Sequence, residues 1–172
     1  MTYDDARALI LANPQQIYMI ALTHTAWLSL RDIQIQSVRI FTKSEYSHTA
    51  LLWCVAGRVF VIEAVEPLVR IVPLSTIKSE GFYLLPLGGE LTDAALTQWL
   101  APVGVGAYSK IQAIAAQLNL LNIGVDDLWE CSELVIMQAR AVGIDLGSKA
   151  TPSAVVLSAQ KLGAPLHYVK GE

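Results

Sequence analysis

Two strand-like runs separated by a short turn constrain the fold more than any other feature of this sequence. Thr49–Val55 and Arg58–Val65 are rich in β-branched and aromatic residues, and Ala56-Gly57 lies between them, a pattern that predicts a β-hairpin. If Ala56 and Gly57 form a two-residue turn, the numbers of any two residues that face each other across the hairpin add up to 113. His48 and Glu63 are then diagonal neighbours on one sheet face, roughly 7–8 Å apart at the backbone.

The length of that turn decides which acid accompanies His48. In the two-residue register Glu66 points to the opposite face, and a turn with an odd number of residues would reverse the choice. Glu63 lies inside an apolar strand, where an unpaired carboxylate is costly, so it requires a partner. A carboxylate beside an imidazole fixes its tautomer and leaves the other nitrogen to take a proton from a thiol.

A candidate thiol lies at the start of an apolar helical stretch, Trp129–Val135. The orphan N–H groups and positive dipole end of a helix N-terminus lower the pKa of a cysteine, here Cys131, and can stabilise an oxyanion. A cysteine at such a position is also a common small core residue. The catalytic interpretation therefore depends on His48 and Glu63 completing a nucleophile, base and orienting acid.

The remaining periodicity predicts strands followed by helices, and thus one α+β domain over residues 1–172 with a central antiparallel sheet packed against helices. For residues 26–41 a helical face is favoured over strand alternation. The Gly88-Gly89-Glu90 segment is predicted as a loop. Helices are predicted at residues 3–12, Thr92–Leu100, Tyr108–Leu121, Cys131–Val142 and from Thr151, and further strands at Ile17–Leu22, Leu68–Leu74, Phe82–Leu87 and Leu166–Val169.

Charge and hydropathy exclude several classes of partner. The net charge is -3 and the 12 Lys and Arg residues are scattered, which argues against nucleic-acid binding. No apolar run approaches the roughly 18 residues of a membrane-spanning helix. The acidic start of the chain is unlike a secretory signal, so a cytoplasmic protein with two free thiols, Cys54 and Cys131, is expected.

No metal or organic cofactor is expected. His48, Glu63 and Cys131 are suitable zinc ligands by type. Paired ligand spacings such as Cys-x-x-Cys are absent from the sequence. Catalysis is therefore preferred to metal binding for these three residues.

Four segments together resemble one family: Ser44–Ala50, Val61–Val65, Gly106–Tyr108 and Glu130–Val135. They are similar to the circularly permuted, NlpC-type papain-like cysteine peptidases and amidases of the YiiX/YaeF-like group, with lecithin:retinol acyltransferase-like proteins as relatives. In that family the histidine-bearing hairpin precedes the cysteine-bearing helix, and this chain has the same order. The resemblance implies a permuted papain-like fold.

The same resemblance implies roles for individual residues. Cys131 matches the nucleophile, His48 the general base and Glu63 the residue that orients it, while Tyr108 and Tyr46 are the implied substrate-binding residues. The family usually has Asp after the tyrosine, where this chain has Ser109-Lys110.

The implied activity is hydrolysis of an amide bond, in a peptide or a cell-wall-type substrate, through a covalent acyl-enzyme. Two alternatives stay open. One is an acyltransferase or thioesterase acting on lipid-like acyl groups, since the same intermediate can react with other nucleophiles. The other is a non-catalytic interaction module. The sequence leaves the substrate and the oligomeric state undetermined.

Overall fold

A computed structural model describes residues 1–23, 45–65, 67–104, 107–108 and 128–171. Within these ranges the helices are α1 (Tyr3–Ala12), α2 (Asp93–Leu100), α3 (Cys131–Ala141) and α4 (Pro152–Lys161), with a 3-10 turn at Leu74–Ile77. The strands are β1 (Gln16–Leu22), β2 (His48–Val55), β3 (Arg58–Val65), β4 (Leu68–Pro73), β5 (Phe82–Glu90), β6 (Ala107–Tyr108), β7 (Leu128–Trp129) and β8 (His167–Val169).

The strands form one sheet in the order β7-β6-β4-β3-β2-β1-β5-β8. Neighbouring strands pair antiparallel except β6 and β7, which pair parallel. The predicted fold class, α+β with a central antiparallel sheet packed against helices, is confirmed. The short strand β8, which the sequence predicted over Leu166–Val169, lies at one edge of the sheet.

Helices cover both faces of the sheet. The larger core, which we call the helix-side core, joins one face to α2, α3 and α4, and a second core joins the other face to α1. None of the helices formed by the described residues has the length and apolar content needed to span a bilayer. The helix-side core includes Met19, Leu51, Ile62, Trp99, Leu134, Val135 and Val155, and the second core includes Ile10, Tyr18, Ile20, Leu52, Val61 and Phe82.

Threonine residues cap the N-termini of two helices, α2 and α4, where the sequence predicted these helices to start. The hydroxyl of Thr92 accepts a hydrogen bond from the Ala95 N–H of α2 at 3.2 Å, and that of Thr151 accepts from the Ala154 N–H of α4 at 3.3 Å. Each bond satisfies one orphan donor of the first helical turn. Pro152 follows Thr151 at a position where its missing N–H costs nothing.

The β2–β3 hairpin has the predicted register. Leu51 pairs with Ile62 and Val55 with Arg58, so opposed residue numbers sum to 113 and the turn has two residues. Ala56 and Gly57 have φ values of 48° and 71°, the doubly positive conformation of a type I′ turn, whose twist matches that of the strands it joins. Because side chains alternate between the two faces along each strand, His48 and Glu63 lie on the same side of the sheet.

Two predictions of secondary structure were wrong, and two lie outside the described residues. Gly88 and Gly89 are part of β5 rather than a loop, because both have positive φ and accommodate register shifts against β1 within the strand. Tyr108 lies in a short strand that pairs with Trp129, although its spacing predicted the start of a helix. The predicted helix over residues 26–41 lies outside the described part of the chain. So do residues 109–121 of the helix predicted over Tyr108–Leu121.

Candidate active site

Helix α3 is docked on the sheet through its first residues. It packs against β2 and β3, and the hydroxyl oxygens of Thr49 and Ser132 lie 3.5 Å apart in a buried contact. Further along the helix, the indole N–H of Trp99 donates to the carbonyl oxygen of Gln138 at 2.7 Å. These contacts fix the start of α3, and with it Cys131, beside the first residues of β2.

His48 begins β2 and is held by Glu63 of β3. The Nε2 of His48 donates to Oε2 of Glu63 at 2.9 Å. The two side chains are 16% and 5% exposed, so the bond is largely shielded from water. Because Glu63 occupies Nε2, the Nδ1 nitrogen of the ring remains available to the sulfur of Cys131.

Arg70 of β4 binds the other oxygen of the same carboxylate. Its Nε donates to Oε1 of Glu63 at 2.9 Å, and its terminal nitrogen lies 2.8 Å from that oxygen. Glu63 and Arg70 face each other across the β3–β4 pair. Both carboxylate oxygens are therefore engaged, one by the imidazole and one by the guanidinium, which fixes the position of the group that orients His48.

The thiol of Cys131 lies among three polar groups. The hydroxyl oxygen of Ser132 lies 3.8 Å from the sulfur, and the imidazole of His48 and the backbone N–H of Thr49 both act on the thiol so as to lower its pKa. Such groups stabilise a thiolate more than a thiol, which is only a weak donor and a weak acceptor. The surroundings of the sulfur therefore favour its ionised form.

Interaction between the thiol and the imidazole lowers the pKa of the thiol and raises the pKa of the imidazole. Burial alone would raise the pKa of Cys131, but the charge of His48 and the neighbouring polar groups lower it below its ordinary value. Burial alone would lower the pKa of His48, but Cys131 and Glu63 raise it to about 10. These opposite shifts favour a thiolate paired with an imidazolium, the charge state that activates a cysteine.

Three of the five predicted site residues come together. Glu63 is hydrogen-bonded to His48, and the imidazole in turn acts on the thiol of Cys131. The catalytic roles of these three residues stay predictions. Tyr46 is buried in the helix-side core, with its ring edge-on to Tyr83 at 5.6 Å between centroids. The backbone of Tyr108 lies in β6, and its side chain is outside the described part of the chain, so both substrate-binding roles also stay predictions.

Two charged residues of the site, Arg70 and Glu130, were not predicted from the sequence. Arg70 was detectable, because pairing of Val65 with Leu68, the last and first residues of the two strand-like runs, places Arg70 opposite Glu63. Glu130, the residue before Cys131, is 4% exposed. Nothing in its local sequence predicted that burial, since it depends on how α3 docks on the sheet.

Within the described ranges, no group of three or more His, Cys, Asp or Glu side chains is arranged to hold a metal ion. Cys54, the other cysteine, is unbonded to Cys131, and burial raises the pKa of its thiol.

Glu63→Gln is expected to lower the free energy of unfolding at pH 7 by about 3 kcal/mol, and by less at pH 3. Burial opposes ionisation of Glu63, but His48 and Arg70 lower its pKa to about 2, from an ordinary 4.5. A depressed folded pKa stabilises the fold above the unfolded pKa, and the contribution is lost as the pH falls towards the folded value. Urea unfolding at the two pH values measures it.

The exposed acid Glu90, at the end of β5, provides the matched control for that measurement. Glu90→Gln should have little effect at either pH. An equal loss at pH 7 and pH 3 in Glu63→Gln would contradict the assignment of the stabilisation to an ionised carboxylate.

No family model and no curated protein matches this chain. Among solved structures, the chain is similar to the crystal structure of a protein described as metalloprotein yiiX from Escherichia coli O157:H7. The alignment covers 92% of this chain and 98% of that one, with 19% sequence identity and a TM-score of 0.49.

Proposed function

We propose that this protein is a cysteine hydrolase that cleaves an amide bond through a covalent acyl-enzyme. The observation that carries the proposal is the arrangement of three side chains: Glu63 is hydrogen-bonded to the imidazole of His48, and the imidazole lowers the pKa of the Cys131 thiol while its own pKa is raised. A cysteine that served only as a core residue would gain nothing from a charged imidazole beside it.

In the first step the thiolate of Cys131 attacks the carbonyl carbon of the substrate. The carbon–sulfur bond forms, and the carbonyl electron pair moves onto oxygen. The backbone N–H of Cys131, at the start of α3, is available to stabilise that oxyanion. The imidazolium of His48 then protonates the leaving nitrogen, the carbon–nitrogen bond breaks, and the thioester remains on the enzyme.

In the second step His48, now neutral, removes a proton from water, which attacks the thioester. The acid product leaves and the thiolate–imidazolium pair is restored. Glu63 keeps the imidazole in one orientation throughout and stabilises its charge. Arg70 in turn holds Glu63 ionised, so the orienting group does not compete for the proton of the reaction.

The order of the elements supports a permuted papain-like organisation, in which the histidine-bearing hairpin precedes the cysteine-bearing helix. We extend the proposal to a single domain whose substrates are peptide or cell-wall-type amides, with Tyr46 and Tyr108 contributing to the substrate site. Each step of the reaction uses groups that this chain supplies.

Trapping of the acyl-enzyme tests the proposal without a known natural substrate. Incubation with p-nitrophenyl acetate should add one acetyl group to the peptide that contains Cys131, detected by mass spectrometry after an acid quench. Hydroxylamine should remove the group, because a thioester is labile to it. Acetylation confined to Cys54 or to lysines would overturn the proposal.

A further inference from the structure

Glu130 is a buried carboxyl directly beside the proposed nucleophile. It is the N-cap residue of α3 and immediately precedes Cys131. Its side chain is 4% exposed, and the charge of the Cys131 thiolate acts on it. The proposed catalytic chain uses His48, Glu63 and Cys131 and leaves this carboxyl without a role.

One oxygen of that carboxyl is unsatisfied. Glu130 and Glu133 form a reciprocal capping box, in which the Glu130 N–H donates to Oε2 of Glu133 at 3.4 Å. Oε1 of Glu130 is buried and has no hydrogen-bond partner in the described part of the chain. A buried polar atom without a partner costs free energy in the empty protein, and a bound substrate can supply the missing partner.

The charges around Glu130 keep it protonated. Burial, the Cys131 thiolate and the Glu133 carboxylate together raise its pKa to about 9. A protonated carboxyl is a hydrogen-bond donor as well as an acceptor, whereas a carboxylate only accepts. With its pKa raised to about 9, Glu130 therefore offers an O–H group at neutral pH, in the residue that immediately precedes Cys131.

On the basis of the proposed hydrolase function, we infer that Glu130 is a second oxyanion donor, a neutral carboxylic acid that hydrogen-bonds the substrate carbonyl oxygen as Cys131 attacks. The bond between Oε1 and its proton stays intact, so no proton is transferred. Negative charge develops on the carbonyl oxygen while the carbon–sulfur bond forms, and the O–H dipole stabilises it beside the backbone N–H of Cys131. The interaction is strongest in the transition state, as catalysis requires.

Two probes with different chemistry test the inference. Acetylation of Cys131 by p-nitrophenyl acetate passes through an oxyanion, whereas alkylation by iodoacetamide displaces iodide without one. Both rates are measured in a Cys54→Ala background, which leaves one thiol. Glu130→Met fills the same volume without a donor, and Glu130→Gln keeps a neutral donor.

Glu130→Met should slow acetylation on the order of 100-fold with little change in alkylation, and Glu130→Gln should keep most of the acetylation rate. Glu90→Gln is the matched control, because it removes an exposed carboxylate at the end of β5 that belongs neither to the catalytic chain nor to the capping box. Thermal unfolding measured by circular dichroism establishes that each variant is folded at the assay temperature. Glu130→Ala provides a second variant without a donor should the methionine disturb packing.

Equal slowing of both probes by Glu130→Met, or unchanged acetylation, would overturn the inference. The first result would mean that Glu130 acts on thiol ionisation or on structure, and the second that it contributes no donor. Failure of the proposed function has a different signature, because Cys131→Ala would then leave acetylation of the protein unchanged.

Discussion

Cys131→Ala is expected to reduce alkylation of the protein by iodoacetamide at pH 6 on the order of 100-fold. An ordinary thiol, with a pKa of about 8.5, is less than about 1% ionised at that pH. The charge of His48, with contributions from Thr49 and Ser132, lowers the pKa of Cys131, so more of this thiol is expected to be ionised at pH 6. Intact-protein mass spectrometry against time measures the rate.

Cys54→Ala provides the matched control on β2. Burial raises the pKa of the Cys54 thiol, so its removal should leave the rate at pH 6 unchanged. Alanine at position 131 suits the start of a helix and retains its packing, so loss of fold should not explain the result. Alkylation that disappears with Cys54 instead would refute the assignment of the nucleophile.

His48→Ala is expected to abolish the activation of Cys131 while leaving the thiol in place. Without the imidazolium, burial of the sulfur raises its pKa, so alkylation at pH 6 should fall on the order of 100-fold. The rate should recover as the pH rises through the ordinary range of a thiol. Turnover of an amide substrate should fall by roughly 10²–10⁴, since the proton-transfer group is lost.

The rate of alkylation between pH 5 and pH 10 separates this role from a structural one. In the unchanged protein the alkylation rate should stay high as the pH falls towards 5. In His48→Ala the whole rate profile should move to higher pH. His167→Ala, at the sheet edge in β8, is the histidine control and should keep the original profile. An unmoved profile in His48→Ala would exclude His48 as the group that ionises Cys131.

Local sequence rules were sufficient for the parts of the fold that local interactions determine. The β2–β3 register followed from a two-residue turn, because strand alternation has a period of two and the parity of one turn fixes every later position. Helix starts were predicted at Thr92 and Thr151, and the side chains of both residues satisfy orphan N–H groups of the first helical turn. The pairing of His48 with Glu63 was predictable for the same reason as the register.

Long-range pairing determined the features that were predicted wrongly or missed. Tyr108 has helical spacing, but it forms a strand because β4 and β7 lie on either side of it, far away in sequence. Gly88 and Gly89 were predicted to lie in a loop, but their positive φ values let them continue β5 along β1. The burial of Glu130 depends on how α3 docks on the sheet, which no local pattern encodes.

The two halves of the site lie at very different separations along the chain. His48, Glu63 and Arg70 belong to three consecutive strands, and their hydrogen bonds join residues 15 and 7 positions apart. The contact between Thr49 and Ser132 that docks α3 spans 83 positions. Because short loops close at a lower entropic cost than long ones, we expect the imidazole and its acid to be assembled before the thiol reaches them. Cys131 would then be an ordinary, unactivated thiol in every partly folded chain, which keeps a reactive nucleophile out of folding intermediates.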